Sequence, residues 1–139
     1  VSKILIFTDG GARGNPGPAA LGVYIQSEEG KELERIGKRI GEATNNVAEY
    51  SAIIEGFNWL LENKEKFSIN KAIFYMDSQL ASSQLNGLYK VKNARIREMV
   101  FEIRQKEMEL DIPISYSHVP REKNKQADFM VNQALDNLV

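Results

Sequence analysis

The chain has 139 residues, 42% of them hydrophobic and 27% charged, with 18 Lys plus Arg against 19 Asp plus Glu and no cysteine. That length suits one domain with a real core, and the missing cysteines exclude disulfides, a thiolate zinc site and a cysteine nucleophile. A net charge of −1 lacks the basic excess of a sequence-independent nucleic-acid binder, so such a role needs local basic clusters or a metal.

Ser2 to Thr8 is almost continuously apolar, the pattern of a central strand buried on both faces. No apolar run approaches the ~20 residues of a membrane span. No signal-peptide pattern opens the sequence, and the absence of cysteine suits a reducing cytoplasm. Gly10 to Pro18 reads as a turn region, punctuated by glycines and prolines. Leu21 to Gln26 and Leu33 to Ile40 read as two further strands, joined in hairpin fashion near Glu29-Gly30. Thr44, Asn45 and Asn46 supply capping side chains for a long helix from about Val47 to Asn63. Ala72 to Met76 is a short buried strand, and Ser78 to Leu85 a short helix. A helix from about Ala94 to Glu109 precedes a strand from Ile112 to His118. Asn124 is placed to cap a last helix running to about Leu138. No repeat or linker interrupts this order, so residues 1–139 are expected to form one α/β domain around a five-stranded mixed sheet flanked by helices.

Four acids stand in unusual places. On the long helix, Val47, Tyr50, Ile54, Phe57 and Leu61 form an apolar stripe, with Glu55 and Glu62 opposite in water. Glu49 falls at the stripe's margin, stacked with Ile53, Gly56 and Leu60, and Gly56 would let the helix approach its neighbour closely. In the last helix, Ala127, Val131, Ala134 and Leu138 form the stripe and Asp128 sits at its edge. Asp9 and Asp77 each follow a buried strand, and ligands gather beyond the carboxyl ends of parallel strands. Taken singly, each acid could cap a turn or favour a helix dipole. Convergence of all four would raise their pKa values through repulsion, a conflict that a hard divalent cation removes. Oxygen-only ligands suit Mg²⁺ or Mn²⁺.

Four blocks, "TDGGARGNPGPAALG" from Thr8, "TNNVAEY" from Thr44, "YMDSQL" from Tyr75 and "HVPREKNKQAD" from His118, resemble the type 1 ribonuclease H family in order and spacing. The resemblance covers essentially the whole chain and implies a ribonuclease H-like fold. It implies an endonuclease that cuts the RNA strand of RNA–DNA hybrids, leaving 5′-phosphate and 3′-hydroxyl ends. Asp9, Glu49, Asp77 and Asp128 match the family's metal-binding acids, which would hold two Mg²⁺ ions, with Mn²⁺ able to substitute. Gly10 and Gly11 are expected to let backbone groups meet the minor groove of the hybrid, where 2′-hydroxyls are displayed. Asn15, Thr44, Asn45, Asn46 and Gln79 match substrate contacts, with Thr44 holding a phosphate of the DNA strand. The hybrid is the one implied partner, and a cytoplasmic monomer is expected.

The chain lacks the basic, tryptophan-bearing insertion that some members carry. Leu88 or Tyr89 stands where the family often stacks an aromatic on the DNA strand, and Lys90, Lys92, Arg95 and Arg97 substitute in part. Trp59, the one tryptophan, belongs to packing of the long helix. His118 ends a strand and is stiffened by Pro120, so the resemblance puts Glu122, not His118, in the place of the family's catalytic loop histidine. A catalytically silent hybrid-binding module would lack one of the four acids, and none is missing. A DNA-cutting relative on the same fold is disfavoured by "TNN" and the glycine-rich loop.

Overall fold

The computed structural model describes residues 2–137. Its elements run β1 (Lys3–Ala12), β2 (Gly17–Ser27), β3 (Glu32–Ala43), α1 (Asn45–Asn63), β4 (Lys71–Met76), α2 (Gln79–Leu85), α3 (Ala94–Leu110), β5 (Ile114–His118), a 3₁₀ turn (Arg121–Lys123) and α4 (Lys125–Leu135). The sheet order is β3-β2-β1-β4-β5. Short turns make β1, β2 and β3 antiparallel neighbours, whereas the helical crossovers make β4 and β5 run parallel to β1.

The first strand outruns its expected end. Asp9 lies inside β1, and the turn between β1 and β2 shrinks to Arg13–Pro16, because Asp9 to Ala12 keep pairing with Gly22 to Ala19. Nor is β1 equally buried on both faces: Ile4 and Ile6 are buried, while Leu5 and Phe7 are half-buried. Phe7 stacks on Tyr75 at 4.9 Å between ring centroids.

Helix α1 begins two residues earlier than expected. Thr44 alone is the cap, its Oγ1 accepting from Val47 N at 3.2 Å, while Asn45 and Asn46 have joined the helix. The buried face is also rotated. Ile53, Gly56 and Leu60 are its centre; Tyr50 and Phe57 of the expected stripe are buried, but Val47, Ile54 and Leu61 are half-exposed, so the side that carries Glu49 faces the sheet. Gly56 lies against Phe74 and Ile6, as its position anticipated. Glu55 is not free in water but paired with Lys38 of β3 at 2.5 Å. Trp59 is buried and stacks on Phe67. Helix α4 crosses β2, β3 and β1, and ends at Leu135; Leu138, expected in its stripe, lies outside the described residues.

Asn124 does not cap α4. Its side chain is 1% exposed and makes no capping bond; Nδ2 instead donates to the carbonyl of Thr8 at 2.8 Å.

Candidate active site

The parallel pairing of β1 and β4 sets Thr8 opposite Met76. The next residue on each strand is an acid, Asp9 on one and Asp77 on the other, and neighbouring strands lie only ~4.8 Å apart. Glu49 joins them from the first turns of α1, which can come so near because residue 10 is glycine. A Cβ there would lie 2.2 Å from the carbonyl carbon and oxygen of Ala48 and 2.4 Å from Glu49 N. Asp9, Glu49 and Asp77 each present a carboxylate oxygen within 4.8 Å of the others.

Asp128 arrives on α4 by a second close approach. Gly22 lies opposite Asp9 on β2, and a Cβ at Gly22 would meet the carbonyl oxygen of Ala127 at 2.2 Å. Asp128 is thereby brought close enough to Asp9 to raise its carboxyl.

The electrostatics follow from this crowding. Burial pushes Asp9 up to about 8, and repulsion from Asp77, Asp128 and Glu49 adds to it. Glu49 is pushed up to about 7 by burial, against a lowering hydrogen bond from Ser78 and with further repulsion from Asp77. Carboxyls raised this far by burial and by one another are suited to a divalent cation, which favours their ionised form. All four border one depression of about 340 Å³.

A family model described as reverse transcriptase-like matches residues 7–134. The chain is similar to LC11-RNase H1, isolated from compost, at 43% identity and a TM-score of 0.91, over 99% of this chain and 98% of that one. It is also similar to RNase H1 of the halophilic archaeon Halobacterium salinarum, 35% identical with a TM-score of 0.90 over 98% of this chain and 99% of that chain. The chain belongs to the type 1 ribonuclease H family. It covers only part of some longer relatives. It is 36% identical to the bifunctional protein Rv2228c of Mycobacterium tuberculosis and spans 36% of that protein's length. It likewise spans 65% of the curated ribonuclease HI of Halobacterium salinarum.

Within this ribonuclease H domain, Asn15, Thr44, Asn45 and Asn46 come together around a second depression of about 940 Å³. Asn45 borders both depressions. Its Oδ1 accepts from Ala12 N at 2.8 Å, and its own N–H donates to Asn15 Oδ1 at 3.0 Å, so the two asparagines brace the β1–β2 turn against α1. Asn93 and Arg95 complete that depression from the start of α3; Arg95 belongs to the basic stretch expected to stand in for the insertion, whereas Asn93 carried no such expectation. Gln79 is exposed at the start of α2. Gly10 and Gly11 both border the acidic depression, and the missing side chain of Gly10, which is buried under α1, also makes room for that helix.

Glu122 is set apart from the four acids. It borders a separate depression with Phe7, Tyr24 and Lys125, while its neighbour Arg121 borders the one that holds the acids. Both lie in the 3₁₀ turn, whose three residues per turn send successive side chains ~120° apart, toward different depressions. In the sequence Arg121 stands out only as part of a short basic stretch with Lys123 and Lys125. His118 ends β5 as expected and is exposed.

Proposed function

We propose that this domain hydrolyses the RNA strand of RNA–DNA hybrids, leaving 5′-phosphate and 3′-hydroxyl ends. The observation that supports it best is the pair of unlike depressions sharing Asn45. One gathers four carboxylates with Arg13 and Arg121; the other sets the hydroxyls of Thr44 and Ser51, four asparagines, Arg95 and Glu42 among apolar side chains. A duplex offers one strand to each. LC11-RNase H1, 44% identical, is known in complex with an RNA/DNA hybrid.

Asp9, Glu49, Asp77 and Asp128 would hold the metal. The chemistry that two Mg²⁺ ions supply when bound among such acids, with Mn²⁺ able to replace them, is activation of water and neutralisation of charge on a leaving oxygen. Asp9 and Glu49 give up their protons as the metal loads, so loading is favoured by rising pH. Ser78 holds Glu49 lower than burial alone would and so supports its charged form. Arg121 sets a guanidinium where a backbone phosphate would lie over the acids. Across the divide, the Thr44 hydroxyl accepts from Val47 N, which leaves its hydrogen to donate to a phosphate of the DNA strand. Asn45 has its oxygen engaged and its Nδ2 donors left for the groove. With Asn15, Asn46 and Gln79 they read sugar and phosphate, so no base-sequence preference is expected.

The test is direct. Labelled hybrid, double-stranded RNA and double-stranded DNA are incubated with and without Mg²⁺. Cleavage of the hybrid's RNA strand alone, abolished by chelator, is expected. Equal cutting of duplex DNA, or full activity in chelator, would overturn the reading.

A further inference from the structure

We infer that Asn124 is a positioning residue that sets Asp128 against Asp9, and so shapes the metal site without touching metal or substrate. The inference rests on the metal-binding reading of the four acids. Asn124 joins both of these acids through backbone. Its Nδ2 donates to the carbonyl of Thr8, the residue before Asp9, at 2.8 Å. Its own carbonyl accepts the N–H of Asp128 at 3.1 Å. One residue therefore spans β1 and the first turn of α4.

Two features argue that this link serves the site rather than stability alone. Asn124 stands at the N-cap of α4, where an asparagine side chain ordinarily accepts from the helix's first N–H groups, yet it makes no such bond. In addition its Oδ1 is buried with no hydrogen-bond partner. A buried orphan acceptor is unfavourable, and a cap given up is a second local cost. Local rules broken together, with no local gain, mark positions held by function. The amide is required for a simple reason. Only Nδ2 can donate to Thr8 O; an aspartate would offer two acceptors and add a charge beside the cluster.

Asn124→Leu is the decisive variant, because it keeps the volume, removes the donor and also removes the orphan oxygen. Its unfolding midpoint in urea should stay close to wild type. The Mg²⁺ concentration needed for half-maximal thermal stabilisation, without nucleic acid, should rise about tenfold. The kcat at saturating Mg²⁺ should fall about tenfold, with the hybrid KM within about twofold. Lys64→Met is the control: it removes a comparable bond, Lys64 Nζ to Leu110 O at 2.6 Å, at the far end of α1, and should leave the Mg²⁺ midpoint unchanged. Asn124→Ala should repeat the Mg²⁺ and kcat shifts even if it also lowers stability.

A metal-free readout separates this inference from the proposed function. In chelator, the backbone amide resonances of Asp9, Gly10 and Asp128 should move in Asn124→Leu, and the Asp128 amide should exchange faster. Unmoved resonances and unchanged exchange would overturn the positioning role whatever the protein cleaves. So would a wild-type Mg²⁺ midpoint and kcat in Asn124→Leu. A wild type that neither binds Mg²⁺ nor cuts hybrid, with the amides moving as stated, would sink the proposed function and leave the positioning role standing.

Discussion

Replacing Gly10 by alanine should separate Glu49 from Asp9 without touching either carboxylate. The new Cβ would sit 2.2 Å from the carbonyl carbon and oxygen of Ala48, and 2.4 Å from Glu49 N. That is roughly 1 Å or more short of ordinary van der Waals contact. Both obstacles are backbone atoms in a 19-residue helix, so no side chain can swing aside and α1 itself must withdraw from β1. Overpacking costs about 1–3 kcal/mol, and a clash with backbone belongs near the upper end. In urea the midpoint should fall while the slope stays constant. The same displacement moves Glu49 about 1 Å relative to Asp9, and an error of that size lowers turnover about a hundredfold, ~2.8 kcal/mol of barrier. Gly11→Ala is the comparison for stability, since its Cβ would only touch Val131 Cγ1 at 3.8 Å. A Gly10→Ala protein with wild-type urea midpoint and turnover would refute the idea that the first turn of α1 rests on this glycine.

Asp9→Asn and Asp77→Asn should abolish Mg²⁺-dependent cleavage in a protein that keeps its fold, read by circular dichroism beside the hybrid assay; near-normal turnover in either would remove that acid from the metal set. Stability of the metal-free protein should fall as pH rises. Asp9 at about 8 and Glu49 at about 7 bind protons in the fold that the unfolded chain releases near pH 4, so their stabilising protonation is complete below pH ~4 and lost through pH 7 to 8. Urea titrations in chelator should register a loss of a few kcal/mol over that window, with a shallower slope in Asp9→Asn; parallel slopes in the two proteins would contradict the assignment. Arg121→Ala should lower turnover on hybrid roughly ten- to a hundredfold, ~1.4–2.8 kcal/mol, whereas Glu122→Ala should stay within about threefold, and the reverse ranking in steady-state kinetics would restore Glu122 to the site. His118→Ala should shift neither melting temperature nor turnover appreciably, because the side chain is exposed at the end of β5.

Short-range chemistry was legible in the sequence. Thr44 was among the capping side chains expected before α1, Ser78 stands one residue before α2, and Ala94 opens α3 as expected. The order of five strands and their mixture of antiparallel and parallel pairing followed from connection lengths. The four acids stood out because each interrupts an apolar stripe or strand, an anomaly visible within a few residues. Tertiary structure decided what depends on partners far along the chain. Asp9 lies within β1 because residues 19–22 of β2 continue to pair with it, and no local signal separates a paired glycine from a turning one. The true inner face of α1 is set by where β1 and β4 pass beneath it, so a helical stripe drawn from side-chain hydropathy alone was rotated away from Glu49. Gly10 makes room for a helix more than thirty residues later. Asn124 has the sequence context of a cap, yet its donor is taken by Thr8, 116 positions away. Arg121 and Glu122 exchanged places at the site because the handedness of one 3₁₀ turn aims them apart, and adjacent residues in a loop carry no periodicity from which such an aim could be read.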